Sequence, residues 1–216
     1  PILAKQHHPR ATEAATKYFI IQATASSIII FSSTLNAWYT GTWDITHLTT
    51  YPATALLTLA LMMKLGLAPL HFWFPEVMQG TNMPSALIIT TWQKLPPMSL
   101  LFMIANNTPL VILFSLAILS TIIAGWSGLN QTQMRKIMAF SSIAHLGWMI
   151  MILPLSKSPL LLTLTTYIIM TLSAFTILIF TTTKTTKDLG QIWTTSPTMT
   201  TSMLITLLSL GGLPPL

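Results

Sequence analysis

Cysteine is absent from the 216 residues, so disulfides, thiolate catalysis and cysteine metal sites are excluded. Charge is scarce: 6% of residues are Asp, Glu, Lys or Arg, against about 25% in soluble domains. A water-exposed surface cannot be built from so few charges, so the solvent must be lipid. Four residues are acidic, Glu13, Asp44, Glu76 and Asp188. Neither a Gly-x-Gly-x-x-Gly stretch nor a phosphate loop occurs, which leaves the chain no visible means of redox chemistry by itself. The five histidines are scattered. His7 and His8 adjoin in a polar loop with no carboxylate pair nearby, and no metal site is read there.

What is present is apolar. Hydrophobic residues make up 52% of the chain, and the mean hydropathy is +0.67. Apolar runs of about 20 residues, the bilayer-spanning length, repeat along it. They predict an all-α integral membrane protein, a polytopic helix bundle forming a single membrane domain of about seven spans. The spans read as Ala14–Leu35, Pro52–Phe74, Pro84–Ile104, Leu110–Leu129, Ile137–Leu155, Leu160–Phe180 and Met199–Leu216. Most loops are short, so successive helices are antiparallel neighbours. The chain starts at Pro1 and stops at Leu216 inside an apolar run, with no signal peptide visible. It therefore reads as a fragment of a longer protein.

The net charge of +6 is not patched on one face, which argues against nucleic acid. It divides instead by membrane side. Lys5, Arg10, Lys17, Arg135, Lys136, Lys184 and Lys187 fall on one side and only Lys157 on the other. That asymmetry is the positive-inside pattern, and the rich side should face the compartment of synthesis. Trp38, Trp43, Trp126 and Trp193 fall near span ends, as interface anchors do. Threonine is abundant within the spans and can bond its own helix carbonyls.

Two lysines are not explained by span ends. Lys64 lies about midway along Pro52–Phe74, and Lys94 about midway along Pro84–Ile104. A charged residue at bilayer centre costs roughly 2.5–3.5 kcal/mol on insertion scales. Losing the proton at pH 7 costs about 4.6 kcal/mol from an ordinary lysine value near 10.4. The two costs are similar, so a small change in partner or hydration tips such a lysine between charged and neutral, as a proton relay requires. The plainer alternative is a lysine paired to a structural carboxylate, but none of the four acids is expected at mid-membrane.

Proline sits beside both lysines. Pro69 is expected to displace the carbonyl of Leu65, with Gly66 loosening the same turn. Pro96 and Pro97 are expected to free the carbonyls of Trp92 and Gln93. Irregular backbone at that depth is tolerated where it is buried in protein or lines a water-filled cavity, and broken helices build ion sites in secondary transporters. A mere packing kink is the alternative. His71 is seven residues after Lys64. On a continuous helix it returns to nearly the same face, about 10 Å along the axis. It can shuttle protons or be a buried neutral histidine. Glu76, after Pro75, fits a loop or helix-cap role better than a proton-carrying one. His145, near Ser141 and Ser142, is a weaker relay candidate. Arg135, Lys136 and Lys17 read as topology anchors.

The stretch Lys64-Leu-Gly-Leu-Ala-Pro-Leu-His-Phe-Trp-Phe-Pro-Glu-Val-Met-Gln-Gly80 resembles that of the chain-2 subunits of mitochondrial NADH:ubiquinone oxidoreductase, respiratory complex I. Four more segments are similar to that family in the same order: Pro9–Phe19, Trp92–Pro96, Gly128–Ile137 and Ser209–Pro215. The Thr- and Met-rich, cysteine-free composition resembles a vertebrate mitochondrial gene product. The resemblance implies an antiporter-like subunit in which bundles related by inverted symmetry carry lysines on broken helices. It implies proton translocation coupled to electron transfer from NADH to ubiquinone in the mitochondrial inner membrane, with the Lys-rich loops on the matrix side. It also implies that NADH, FMN, iron–sulfur clusters and ubiquinone are bound by other subunits, with membrane-arm subunits and inner-membrane lipids as partners. Lys64 matches the family's broken-helix lysine, Lys94 the lysine on the next helix, and His71 and Glu76 the polar positions of the stretch. The family also has a membrane glutamate before the present start and a lysine after the present end. Two other readings stay open: a stand-alone cation/proton antiporter of the related multi-subunit class, and a non-pumping assembly scaffold that tolerates neutral replacements of both lysines.

Overall fold

The computed structural model describes residues 3, 8–194 and 196–211. Lys5, His7 and the Gly212, Pro214 and Pro215 of the expected C-terminal irregularity lie outside the described residues. The described part is a helix bundle: α1 Pro9–Thr40, α2 Tyr51–Leu65, α3 Trp73–Gly80, α4 Met83–Thr90, α5 Leu95–Ile104, α6 Leu110–Leu129, α7 Met134–Ile152, α8 Lys157–Thr181, α9 Thr186–Ile192 and α10 Pro197–Leu210. Four stretches are long and apolar enough to cross a membrane: Pro9–Thr40, Met83–Asn107, Leu110–Leu129 and Lys157–Thr181. Tyr51–Leu65 and Pro197–Leu210 are shorter apolar helices.

Proline starts these helices more often than it breaks them. Pro9, Pro52, Pro84, Pro96 and Pro197 occupy first-turn positions, where the missing N–H has no helical partner to lose. Ser and Thr hydroxyls turn inward onto their own helices, as with Thr58 to the Ala55 carbonyl at 2.9 Å and Thr171 to the Tyr167 carbonyl at 2.9 Å. The loop expected over 181–198 contains a helix that its polarity concealed. Thr185 and Asp188 form a reciprocal capping box at the start of α9. The Thr185 backbone N–H and hydroxyl hold the Asp188 carboxyl below its ordinary value.

The span expected as Pro52–Phe74 is not one helix. It stops at Leu65, resumes at Trp73 and continues to Gly80. The stop belongs to Gly66, which adopts the left-handed conformation at φ 77° and donates to the carbonyls of Met62 and Met63. Pro69 already lies beyond the helix end, so it displaces no helical carbonyl, contrary to the expectation. The return span breaks as well: α4 ends at Thr90, a 3-10 turn covers Trp92–Lys94, and α5 begins at Leu95.

Two apolar clusters fill the bundle. One gathers Leu57, Leu61, Leu101, Leu113, Leu146 and Leu153. The other gathers Phe74, Val77, Met138, Ile143, Phe175 and Leu178. Both breaks lie where one cluster gives way to the other. Small residues set the closest helix approach: a Cβ on Gly147 of α7 would collide with Ser120 and Thr121 of α6. Apolar side chains also cover the outside, among them Ile30, Val111, Ile122, Leu129 and Phe180. Water would not tolerate this surface; hydrocarbon does. Trp38, Trp43, Trp126 and Trp193 are exposed on it.

The basic residues gather at one end. Arg135 Nη1 donates to the carbonyls of Gln79 and Thr81 at the end of α3. Arg10, Lys17 and Lys136 line one cleft there. The loop carrying Lys184 pairs with the one before α7 through Met134 N–H to the Lys184 carbonyl at 3.1 Å. Lys157 starts α8 instead, with Nζ 5.2 Å from the Phe102 ring.

Candidate functional site

Lys94 is the centre of the site. Its side chain is 6% exposed, and its Nζ has no hydrogen-bond partner among the described residues. The Nζ lies over two aromatic faces, Phe74 of α3 at 4.5 Å and Tyr167 of α8 at 5.6 Å. Cation–π attraction contributes about 2 kcal/mol when desolvated, well short of the cost of burying an ammonium.

The backbone around Lys94 explains its place. The eight residues of α4 run about 12 Å in from the basic end of the bundle, and the 3-10 turn that ends at Lys94 lies deeper still. Pro96 cannot donate to the Trp92 carbonyl. That carbonyl is nevertheless satisfied, because the Leu95 N–H closes onto it in a tighter turn. The expectation that it is left free is corrected on this point. The Lys94 N–H likewise reaches only the Thr91 carbonyl, at 3.3 Å. The carbonyl that loses its helical donor is therefore that of Thr90, and the Tyr167 hydroxyl donates to it at 3.2 Å.

Lys64 sits in the last turn of α2, two residues before the Gly66 cap, and is half-buried. It is not at the middle of a continuous helix, as the sequence suggested; it ends a half-helix. Its freed carbonyl accepts from Gln22 Nε2 of α1 at 3.4 Å. The two lysine breaks are packed together. A Cβ on Gly66 would stand 3.3 Å from Phe74 Cβ and 3.3 Å from the Trp73 ring, and Phe74 is the ring beneath Lys94.

His71 is not on the Lys64 face. The chain between α2 and α3 is non-helical there, because Gly66 turns it out of the helix, so the two-turn spacing does not apply. His71 is nonetheless buried, with Nδ1 unpartnered and its ring 4.3 Å from that of Phe72. Trp73 Nε1 is buried and unpartnered beside it. Lys94 Nζ, His71 Nδ1 and Trp73 Nε1 thus all belong to the two interrupted helices, and buried polar atoms of this kind call for water.

Glu76 lies in the first turn of α3, where the helix dipole favours an anion. Its carboxylate binds Lys17 Nζ at 2.7 Å, and Lys17 also binds Glu13 at 2.6 Å. Both Glu76 and Lys17 are substantially exposed, at the basic end and away from Lys94. His145 of α7 meets Tyr167 ring to ring at 5.6 Å, with the Leu210 backbone beside it. Ser141 and Ser142 bond their own helix at Met138 and Ala139. Among the described residues no three His, Asp or Glu side chains converge on one point.

Three contributors escaped the sequence reading: Phe74, Tyr167 and Gln22. Gln22 is a lone amide in an apolar run, and Tyr167 is a tyrosine far from either end of its span. Both are signals of the same kind as a mid-span lysine, only weaker.

The site is that of an antiporter-like membrane subunit, a polytopic helix bundle with two interrupted helices and a lysine at each interruption. The family model described as "NADH:quinone oxidoreductase/Mrp antiporter, TM" matches residues 2–216, and the chain belongs to that family. NADH-ubiquinone oxidoreductase chain 2 of Xenopus laevis is 54% identical over 218 residues, covering 100% of this chain and 63% of the relative. The Tetraodon nigroviridis protein of the same name is 53% identical over 216 residues, covering 100% of this chain and 62% of the relative. A chain of respiratory complex I from Thermus thermophilus, solved with bound aureothin, is 31% identical with TM-score 0.89, over 99% of this chain and 51% of that chain. The chain therefore spans less than two thirds of the length of these curated relatives.

Proposed function

We propose that this chain is part of a membrane-arm subunit of respiratory complex I and moves protons across the mitochondrial inner membrane, coupled to electron transfer from NADH to ubiquinone. The observation that carries this reading is the buried Lys94 amine at a helix break, with no acceptor among the described residues. A structural lysine would have a carboxylate or carbonyl against it. A transferring lysine must avoid a permanent partner and meet water transiently.

Lys64 and Lys94 are assigned the exchange of protons, with His71 assisting and His145 receiving beyond Tyr167. Glu76, held by Lys17 in the first turn of α3, is assigned a helix-end role rather than a proton-carrying one. NADH, FMN, iron–sulfur clusters and ubiquinone are assigned to other subunits, and the lateral partners to the other membrane-arm subunits and lipid. The chain is read as one membrane domain with about seven crossings. The end carrying Arg10, Lys17, Arg135, Lys136 and Lys184 is placed on the matrix side by the positive-inside rule.

Lys94→Met in the complete complex tests this. Methionine fits against Phe74 and Tyr167 without a charge. Proton pumping should fall about tenfold or more, the scale of a lost acid–base step, while the complex still assembles. Unchanged pumping in an assembled complex overturns the reading and favours a scaffold.

A further inference from the structure

Tyr167 touches both halves of the site. Its ring lies 5.6 Å from Lys94 Nζ. The His145 ring is 5.6 Å from the same ring. Lys94 is sealed within the bundle. His145 lines a cleft of about 740 Å³ between α7, α8 and α10, and Tyr167 is part of the same wall. The tyrosine hydroxyl does not face that cleft freely: it donates to the Thr90 carbonyl left over by the 3-10 turn, with the Ser142 side chain also against it.

We propose that Tyr167 is a positioning residue and gate: its hydroxyl pins the α4 break that aims Lys94, and its ring closes the passage from Lys94 to the His145 cleft. The proposal rests on the proton-translocation reading above. With the hydroxyl committed to Thr90, the ring occupies the space a water chain between Lys94 and His145 needs. Releasing the hydroxyl from Thr90 and from Ser142 beside it frees the ring to turn and gives the hydroxyl to water in the passage. The Tyr167 hydroxyl then decides both where Lys94 points and whether its proton can leave toward His145.

Two variants in the complete complex, reconstituted into vesicles, separate these roles. Tyr167→Phe keeps the ring and deletes the pin. Protons pumped per NADH oxidised should drop about fivefold, the factor one net neutral hydrogen bond supplies, with vesicles still tight to protons when NADH is withheld. Tyr167→Ala removes the ring, and passive proton leak through the assembled complex should rise. A purely structural tyrosine would lower assembled complex and NADH oxidation together and leave the ratio of protons to NADH, and the leak, unmoved; that result overturns the gate. Lys94→Met in the same assay keeps the two ideas apart. If it abolishes pumping while both Tyr167 variants keep the parent ratio and tightness, only the gate is lost. If Lys94→Met pumps normally, the underlying reading is lost whatever Tyr167 does.

Discussion

The two lysine breaks use opposite devices for the same end. At Lys64 the helix is stopped by a residue that turns the chain away: Gly66 in the left-handed region, followed by a non-helical passage to Trp73. At Lys94 the helix is tightened rather than stopped. A 3-10 turn carries the chain past Pro96 while the axis continues into α5. The first break leaves its lysine half-buried and the second seals its lysine inside. At each, a carbonyl without its helical donor is met by a side chain from another helix, that of Lys64 by Gln22 of α1 and that of Thr90 by Tyr167 of α8. A helix interruption at membrane depth is thus stabilised from outside the helix, as the cost of an unpaired carbonyl in hydrocarbon demands.

The comparison predicts that the first break depends on one residue type and the second does not. Gly66→Val forces a β-branched side chain into φ 77° and places its Cβ 3.3 Å from Phe74 and Trp73. The backbone alone costs about 1–2 kcal/mol, and the crowding adds to it, so thermal unfolding of the detergent-solubilised complex should fall by several degrees. Thr91→Val, beside the second break at φ −108°, removes only a hydroxyl that bonds its own helix and should leave the melting temperature near that of the parent. Equal losses at both positions would erase the distinction.

How much of this could be read from the sequence follows the same division. The membrane class, the two lysines and the presence of a break near each were legible, because charge in a long apolar run and proline beside it are local signals. The second break was located correctly, but of the two carbonyls expected to be freed there, Trp92 and Gln93, the 3-10 turn recovers Trp92 and instead leaves Thr90 without its helical donor. The first was assigned to Pro69 when Gly66 makes it, and the error propagated: the helical spacing from Lys64 to His71 has no meaning across a left-handed turn. Gln22 and Tyr167 gave only the weak signal of a polar group within an apolar span, and what they and Phe74 act on was not legible, because each partner lies across a packed interface that no local pattern encodes.

A smaller effect sharpens the pairing of the breaks. Gln22→Leu removes the amide that meets the Lys64 carbonyl at 3.4 Å. The bond is long, and the site is partly open, so the loss should be about 0.5–1 kcal/mol, below that of Gly66→Val. Its pumping defect should also be milder than that of Tyr167→Phe, since Lys64 is held by the Gly66 cap as well, whereas the Thr90 carbonyl has Tyr167 alone. A pumping defect larger than that of Tyr167→Phe would reverse the ranking and make α1 the principal support of the site.

The smallest effect is expected at Glu76, and it tests whether the site ends where the burial ends. Its carboxylate pairs with Lys17 at 2.7 Å, with 54% and 40% of the two side chains exposed. Exposed pairs are screened by salt and contribute little to stability. The pair lines the cleft of Arg10, Gln79 and Lys136 at the basic end of the bundle. Glu76→Gln keeps the shape and a hydrogen-bond acceptor for Lys17 while removing the charge, so stability and protons pumped per NADH should both match the parent. A loss of pumping with assembly intact would move the site boundary out to the Lys17–Glu76 pair. The path would then begin at an exposed ion pair on the basic end rather than at the sealed lysine, and the contrast between the two breaks would no longer describe where proton transfer is controlled.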